Sequence, residues 1–112
     1  MSDNWKRFED SVCIALGGRR QLGNLGGAVP DSDERVLFSV ETKKGYEKYR
    51  LSAVWIAQAR RNARPGKPWL IVQAPKHARV PLVTLEFPEF VRIARLAGLV
   101  PTHNAIEEEI DP

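Results

Sequence analysis

The chain has 112 residues, of which 43% are hydrophobic and 28% charged, with a net charge of +3. Those values suit one soluble globular domain that buries its own core. Apolar runs such as Trp69-Leu70-Ile71-Val72 are too short to span a bilayer, and the polar N-terminus is not expected to act as a secretory signal.

The charge is unevenly placed. All 17 Lys and Arg precede residue 96, whereas Glu107, Glu108, Glu109 and Asp111 crowd the last six positions. Residues 1–106 therefore carry 10 acids against 17 bases, a net +7, and form the expected domain, with 107–112 as an acidic tail. A body of that sign attracts polyanions in a salt-dependent way. The single cysteine, Cys13, lies in an apolar stretch and reads as a buried thiol.

In chain order, residues 3–16 predict a helix, with Trp5, Phe8, Val12, Ala15 and Leu16 as its apolar stripe and Glu9 at the border. Gly17-Gly18 ends it. The loop 17–27 holds five glycines and two arginines, Arg19 and Arg20, suited either to approaching phosphate or to a plain connector. Residues 28–31 predict a strand, 33–35 a turn, and 36–43 a second strand completing a hairpin. On that second strand Val36, Phe38 and Val40 share a core face, while Leu37, Ser39, Glu41 and Lys43 share the other.

A long helix is predicted over 46–64, with Leu51, Val54, Trp55 and Gln58 on one side, stopped by Pro65-Gly66-Lys67-Pro68. Residues 69–74 predict a strand buried on both faces, and 81–87 a further strand. Pro88 suits the first position of a short helix over 89–97, closed by Gly98. The expected fold is α/β, a small mixed sheet flanked by helices in the order α-β-β-α-β-β-α. Trp69 is expected in the core; Tyr46 and Trp55 suit a core or a dimer contact.

Glu41 and Lys43, two residues apart on a strand, point the same way, and Pro30-Asp31 lies ten positions before Glu41. Two carboxylates and an amine at a strand end suit a divalent cation and a scissile phosphodiester. Such hydrolysis needs an activated water, a stabilised phosphoryl charge and a neutralised leaving oxygen. Mg2+ prefers oxygen ligands and keeps several waters, and the Thr42 carbonyl could add one. The plainer alternatives are a solvated Glu–Lys pair on an exposed face, a surface Glu9, and a core-capping Gln58. His77 and His103, 26 residues apart, lack metal-site spacing.

Pro30-Asp31 followed by Glu41-Thr42-Lys43 at a strand end resembles the signature of the PD-(D/E)XK nucleases. Glu9 in the first helix, the Gly-Gly-Arg-Arg loop and Gln58 in the following helix resemble the small archaeal- and phage-type Holliday-junction resolvases. The resemblance covers about residues 5–75 and implies a restriction-endonuclease-like sheet. It implies Asp31 and Glu41 as ligands of Mg2+, replaceable by Mn2+, Lys43 as the catalytic lysine, and Glu9 and Gln58 as further site residues. Asp33 is an alternative ligand to Asp31, and the Thr42 side chain is expected to point away from the site. Arg19, Arg20, Lys44 and Lys48 would follow the DNA backbone. The implied function is metal-dependent cleavage of branched DNA by a homodimer, in the cytoplasm of a bacterial, archaeal or phage-infected cell. Relatives acting on flaps or linear DNA, and a non-catalytic basic nucleic-acid-binding module, are the alternatives.

Overall fold

The structure is a computed structural model and describes residues 4–22 and 29–101. The acidic tail and the glycine-rich part of the 17–27 loop lie outside the described residues.

Helix α1 covers Asn4–Ala15. Phe8, Val12 and Leu16 pack with the fully buried Cys13, whereas Trp5, expected in the stripe, is half exposed. The helix closes by the Schellman pattern: the Gly18 N–H donates to the Cys13 carbonyl (2.9 Å) and the Gly17 N–H to that of Ile14 (3.1 Å). Gly17 takes the left-handed φ of +101° that this closure requires. Gly18 is needed for a different reason: a Cβ there would lie 2.7 Å from Val36 Cγ2 and 3.0 Å from its backbone nitrogen.

Strand β1 covers Ser39–Lys44, three residues later than the expected start. Val36 and Phe38 still reach the same core as Val40, from a bend rather than a ladder. The expected strand over 28–31 is absent among its described residues; only Arg20 and Ser32 make an isolated bridge there. The Ser32 and Asp31 side chains take the Val40 and Thr42 N–H groups that a ladder would have paired with backbone carbonyls.

Helix α2 covers Ala53–Asn62, much shorter than 46–64. Its N-cap is Ser52, whose hydroxyl accepts the Trp55 N–H (3.2 Å). Residues 46–51 form an irregular loop that is held from outside: buried Gln73 bonds both the N–H and the C=O of Arg50 (2.8 and 2.7 Å). Leu51 and Val54, expected on the packed side, are exposed; Trp55, Ile56, Ala59 and Ala63 do the packing.

Strand β2, Trp69–Ala74, falls where the apolar run predicts it and is buried on both faces. It is the central strand of three, parallel to β1 and antiparallel to β3, Leu82–Thr84. The expected strand over 81–87 therefore contracts to three residues, with Leu82 and Val83 exposed. Helix α3, Phe87–Leu96, begins two residues early, with Pro88 in its first turn. The observed order is α-β-α-β-β-α, which corrects the expected α-β-β-α-β-β-α.

Two apolar clusters lie on the two faces of the sheet. Cys13, Val36, Val40, Leu70 and Val72 form the core under α1; Trp69, Ile71 and Ala59 form the one under α2. Trp69 is a core residue, as expected. No helix among the described residues is long and apolar enough to cross a membrane.

Candidate functional site

Strand β1 lies at an edge of the sheet, so its even-numbered residues turn their backbone groups away from β2. Unpaired edge groups invite aggregation or need a cover. Here the cover comes from the segment where a strand was expected. The Asp31 N–H donates to the Val40 carbonyl (2.8 Å), and the Ser32 hydroxyl accepts the Val40 N–H (3.0 Å). Asp31 Oδ2 then accepts the Thr42 N–H (2.8 Å) and the Thr42 hydroxyl (3.1 Å). Two short side chains thus do what a second strand's backbone would do, and they bring the Asp31 carboxylate to the edge of β1.

Alternation along β1 sorts the remaining groups. Glu41 and Lys43 face α2, where Asn62 Nδ2 donates to Glu41 Oε2 (3.3 Å) and Lys43 Nζ donates to Gln58 Oε1 (2.8 Å). Gln58 and Asn62 are one helical turn apart, matching the two-residue step of the strand. The Thr42 side chain lies on the other side and reaches both Asp31 and Glu9 of α1. It is therefore part of the cluster, which corrects the expectation that it points away.

Glu9, Asp31 and Glu41 come from three separate stretches and feel one another's charge. Glu41 is buried and its carboxyl is pushed up to about 7, first by loss of water and then by the Asp31 charge. Glu9 is likewise pushed up to about 7 by burial and by Asp31, with Arg20 opposing the shift. Asp31 stands between them, on the edge that separates the two faces. It is also Asp31 and not Asp33 that stands at this cluster: Asp33 binds the Arg35 guanidinium (2.7 Å) and the Arg19 N–H, which hold its carboxyl below the usual range.

The basic residues fare differently from one another. Arg19 makes a two-pronged bond to Asp10 (2.9 and 2.6 Å), and Arg20 lies 3.8 Å from Glu9. Lys44 sits over the Phe8 ring, 5.3 Å from its centre, and Lys48 is exposed.

Three contributors lack an obvious mark in the sequence. Asp10 holds Arg19 and accepts the Arg20 N–H, and its carboxyl is drawn down to about 2 chiefly by the Arg19 bond. Asn62 steadies Glu41. Arg64 binds the Ser32 carbonyl (2.9 Å) and Gln21 Oε1 (2.7 Å), anchoring the segment that carries Asp31 to the end of α2. For Asn62 the signal was available, since it lies one turn beyond Gln58.

Among the described residues, no group of three or more His, Cys, Asp or Glu side chains forms a ready-made metal cage. The arrangement offers a pair of oxygen donors, Asp31 and Glu41, beside an amine positioned by Gln58 and a third acid, Glu9. No protein-family model, curated protein or solved structure matches the chain, so these residues and their geometry alone carry the functional reading.

Proposed function

We propose that this protein is a Mg2+-dependent, structure-selective DNA endonuclease that hydrolyses phosphodiester bonds, acting as a Holliday-junction resolvase. The observation that carries the reading is that Glu9, Asp31 and Glu41 act on one another's charge across the Asp31-capped edge of β1, with Lys43 held on the Glu41 side by Gln58. Carboxylates concentrated in this way repel one another, and a cation relieves the repulsion.

The donor set suits a hard ion. Asp31 and Glu41 would hold Mg2+, or Mn2+ in its place, with the Thr42 carbonyl as a further oxygen. Mg2+ characteristically takes one or two carboxylates and keeps its waters, so a three-acid cage is not required. When bound, the ion would polarise a phosphoryl oxygen and lower the pKa of a coordinated water. Lys43 would balance charge developing on the phosphate, and the Gln58 carbonyl oxygen keeps its ammonium aimed. Glu9 would accept or share a proton at the edge of the site. Arg20, Lys44 and Lys48 would contact the strand backbone, with Arg19 joining where DNA displaces Asp10. Paired nicks across a junction call for two sites, supplied by a homodimer.

Cleavage of a four-way junction, a flap and a plain duplex, each with Mg2+ and with EDTA, tests the reading. Glu41→Gln and Lys43→Ala should each lower junction cleavage by at least about 100-fold while binding persists. A second reading, a basic DNA-binding module without catalysis, draws on the fact that Asp31 already has a structural task at Thr42. Binding that ignores Mg2+, with no cleavage of any of the three substrates, would favour that module over the nuclease.

A further inference from the structure

The loop between β1 and α2 is expected to be helical and is not, and what it presents is unusual for a connector. Tyr46 and Trp55 meet edge to face, 4.9 Å between ring centres at 64°. The Arg50 guanidinium lies over both, 5.2 Å from the Tyr46 centre and 5.8 Å from that of Trp55. Lys43 Nζ lies 5.2 Å from the Trp55 centre, so the same indole borders the candidate catalytic amine.

This arrangement is held in place rather than free to collapse. Buried Gln73 of β2 clamps the Arg50 backbone by two hydrogen bonds. The Lys76 N–H donates to the Tyr46 carbonyl (2.8 Å), the Gly45 N–H to that of Ala74 (3.0 Å), and the Tyr49 hydroxyl to that of Val80. Tyr46 remains 39% exposed, and Arg50 is exposed with no carboxylate partner among the described residues. An exposed guanidinium close to two rings, with no side-chain hydrogen bond or ion pair among the described residues, suits one ligand chemistry. A nucleobase stacks on such a plane, and the phosphate beside it takes the donors.

We propose that Tyr46, Arg50 and Trp55 form a binding platform for an unpaired nucleotide, adjacent to Lys43. Only the choice of DNA as the nucleic acid rests on the nuclease reading. A base in a duplex has both faces covered, so the platform selects strands with a flipped-out or single-stranded nucleotide. Lys48, exposed on the same loop, adds backbone attraction without sequence preference.

The test is anisotropy of labelled 12-mers in EDTA, which removes cleavage from the measurement. Oligo-dT, an abasic strand of equal charge, oligo-rU and a 12-base-pair duplex are compared. Oligo-dT should bind roughly 5- to 150-fold more tightly than the abasic strand, the factor contributed by a stacked base. Tyr46→Ala and Arg50→Ala should bring oligo-dT down to the abasic level, while Tyr46→Phe keeps the difference. Equal affinity of wild-type protein for oligo-dT and abasic strands overturns the platform, as does an unchanged difference in folded Tyr46→Ala. The wild-type comparison decides even where a variant fails to fold. Oligo-rU binding as tightly as oligo-dT makes the platform indifferent to the sugar and leaves it standing. A base-dependent difference in EDTA, from a protein that cleaves none of the junction, flap and duplex substrates with Mg2+, supports the platform and rejects the nuclease; cleavage with Mg2+ but no base-dependent difference in EDTA does the reverse.

Discussion

Replacing Glu41 by Gln should make the metal-free protein clearly more stable at pH 8 and only slightly more stable at pH 5. The Glu41 carboxyl titrates at about 7 in the folded protein and near 4.5 when free of its surroundings. A group whose folded pKa is raised favours folding fully below its unfolded pKa, and that contribution is lost as pH rises through the folded value. Stability should therefore fall between about pH 4.5 and 7, leaving the ionised form strained above that. The full shift corresponds to about 3 kcal/mol. Because Glu9 and Glu41 are both strained by the same Asp31 charge, we expect about 1–3 kcal/mol from Glu41→Gln alone. Gln retains a carbonyl oxygen for Asn62 Nδ2, so the neighbouring hydrogen bond survives. Urea unfolding at pH 5 and pH 8 in EDTA measures the difference directly. A variant destabilised at pH 8, or one whose stability change is the same at both pH values, refutes the electrostatic account.

The other expectations concern how the site is held. Asp31→Asn keeps an acceptor for the Thr42 N–H, whereas Asp31→Ala leaves it bare at the sheet edge. The alanine variant should cost about 1–3 kcal/mol more than the asparagine one in urea unfolding. Arg64→Ala removes bonds to Ser32 and Gln21 and should lower stability by about 1–3 kcal/mol, with faster amide exchange at Asp31 and Thr42. Gly18→Ala places a methyl against Val36, whose side chain is fully buried, and should cost about 1–3 kcal/mol in the same assay. Cys13 is fully buried with its thiol pushed up to about 12, so a thiol reagent at pH 8 should label it only at the rate of unfolding.

How far the chain could be read depended on whether the deciding force was local. α1 and β2 lie close to their expected positions because each is specified by its own apolar pattern: a helical stripe in one, an unbroken buried run in the other. Glu41 and Lys43 share a face for the same reason, since alternation belongs to any strand. The helix predicted from residue 46 begins instead at Ala53, because two bonds from Gln73, 23 residues beyond Arg50, hold the chain irregular there. β3 is short because little of it is buried, which composition does not reveal.

The candidate site divides along the same line. Local pattern alone determined that a carboxylate and an amine would stand side by side at the end of a strand. Tertiary structure decided that Asp31 would reach them by capping the β1 edge with its side chain, and that Asp33 would accept the Arg19 N–H instead. It also placed Glu9 across the edge and brought Arg64 to hold the Asp31 segment. The physical reason is the range of the forces involved. Alternation and capping act over a few residues, whereas Coulomb repulsion and edge pairing depend on distances that exist only once α1, β1 and α2 have packed together.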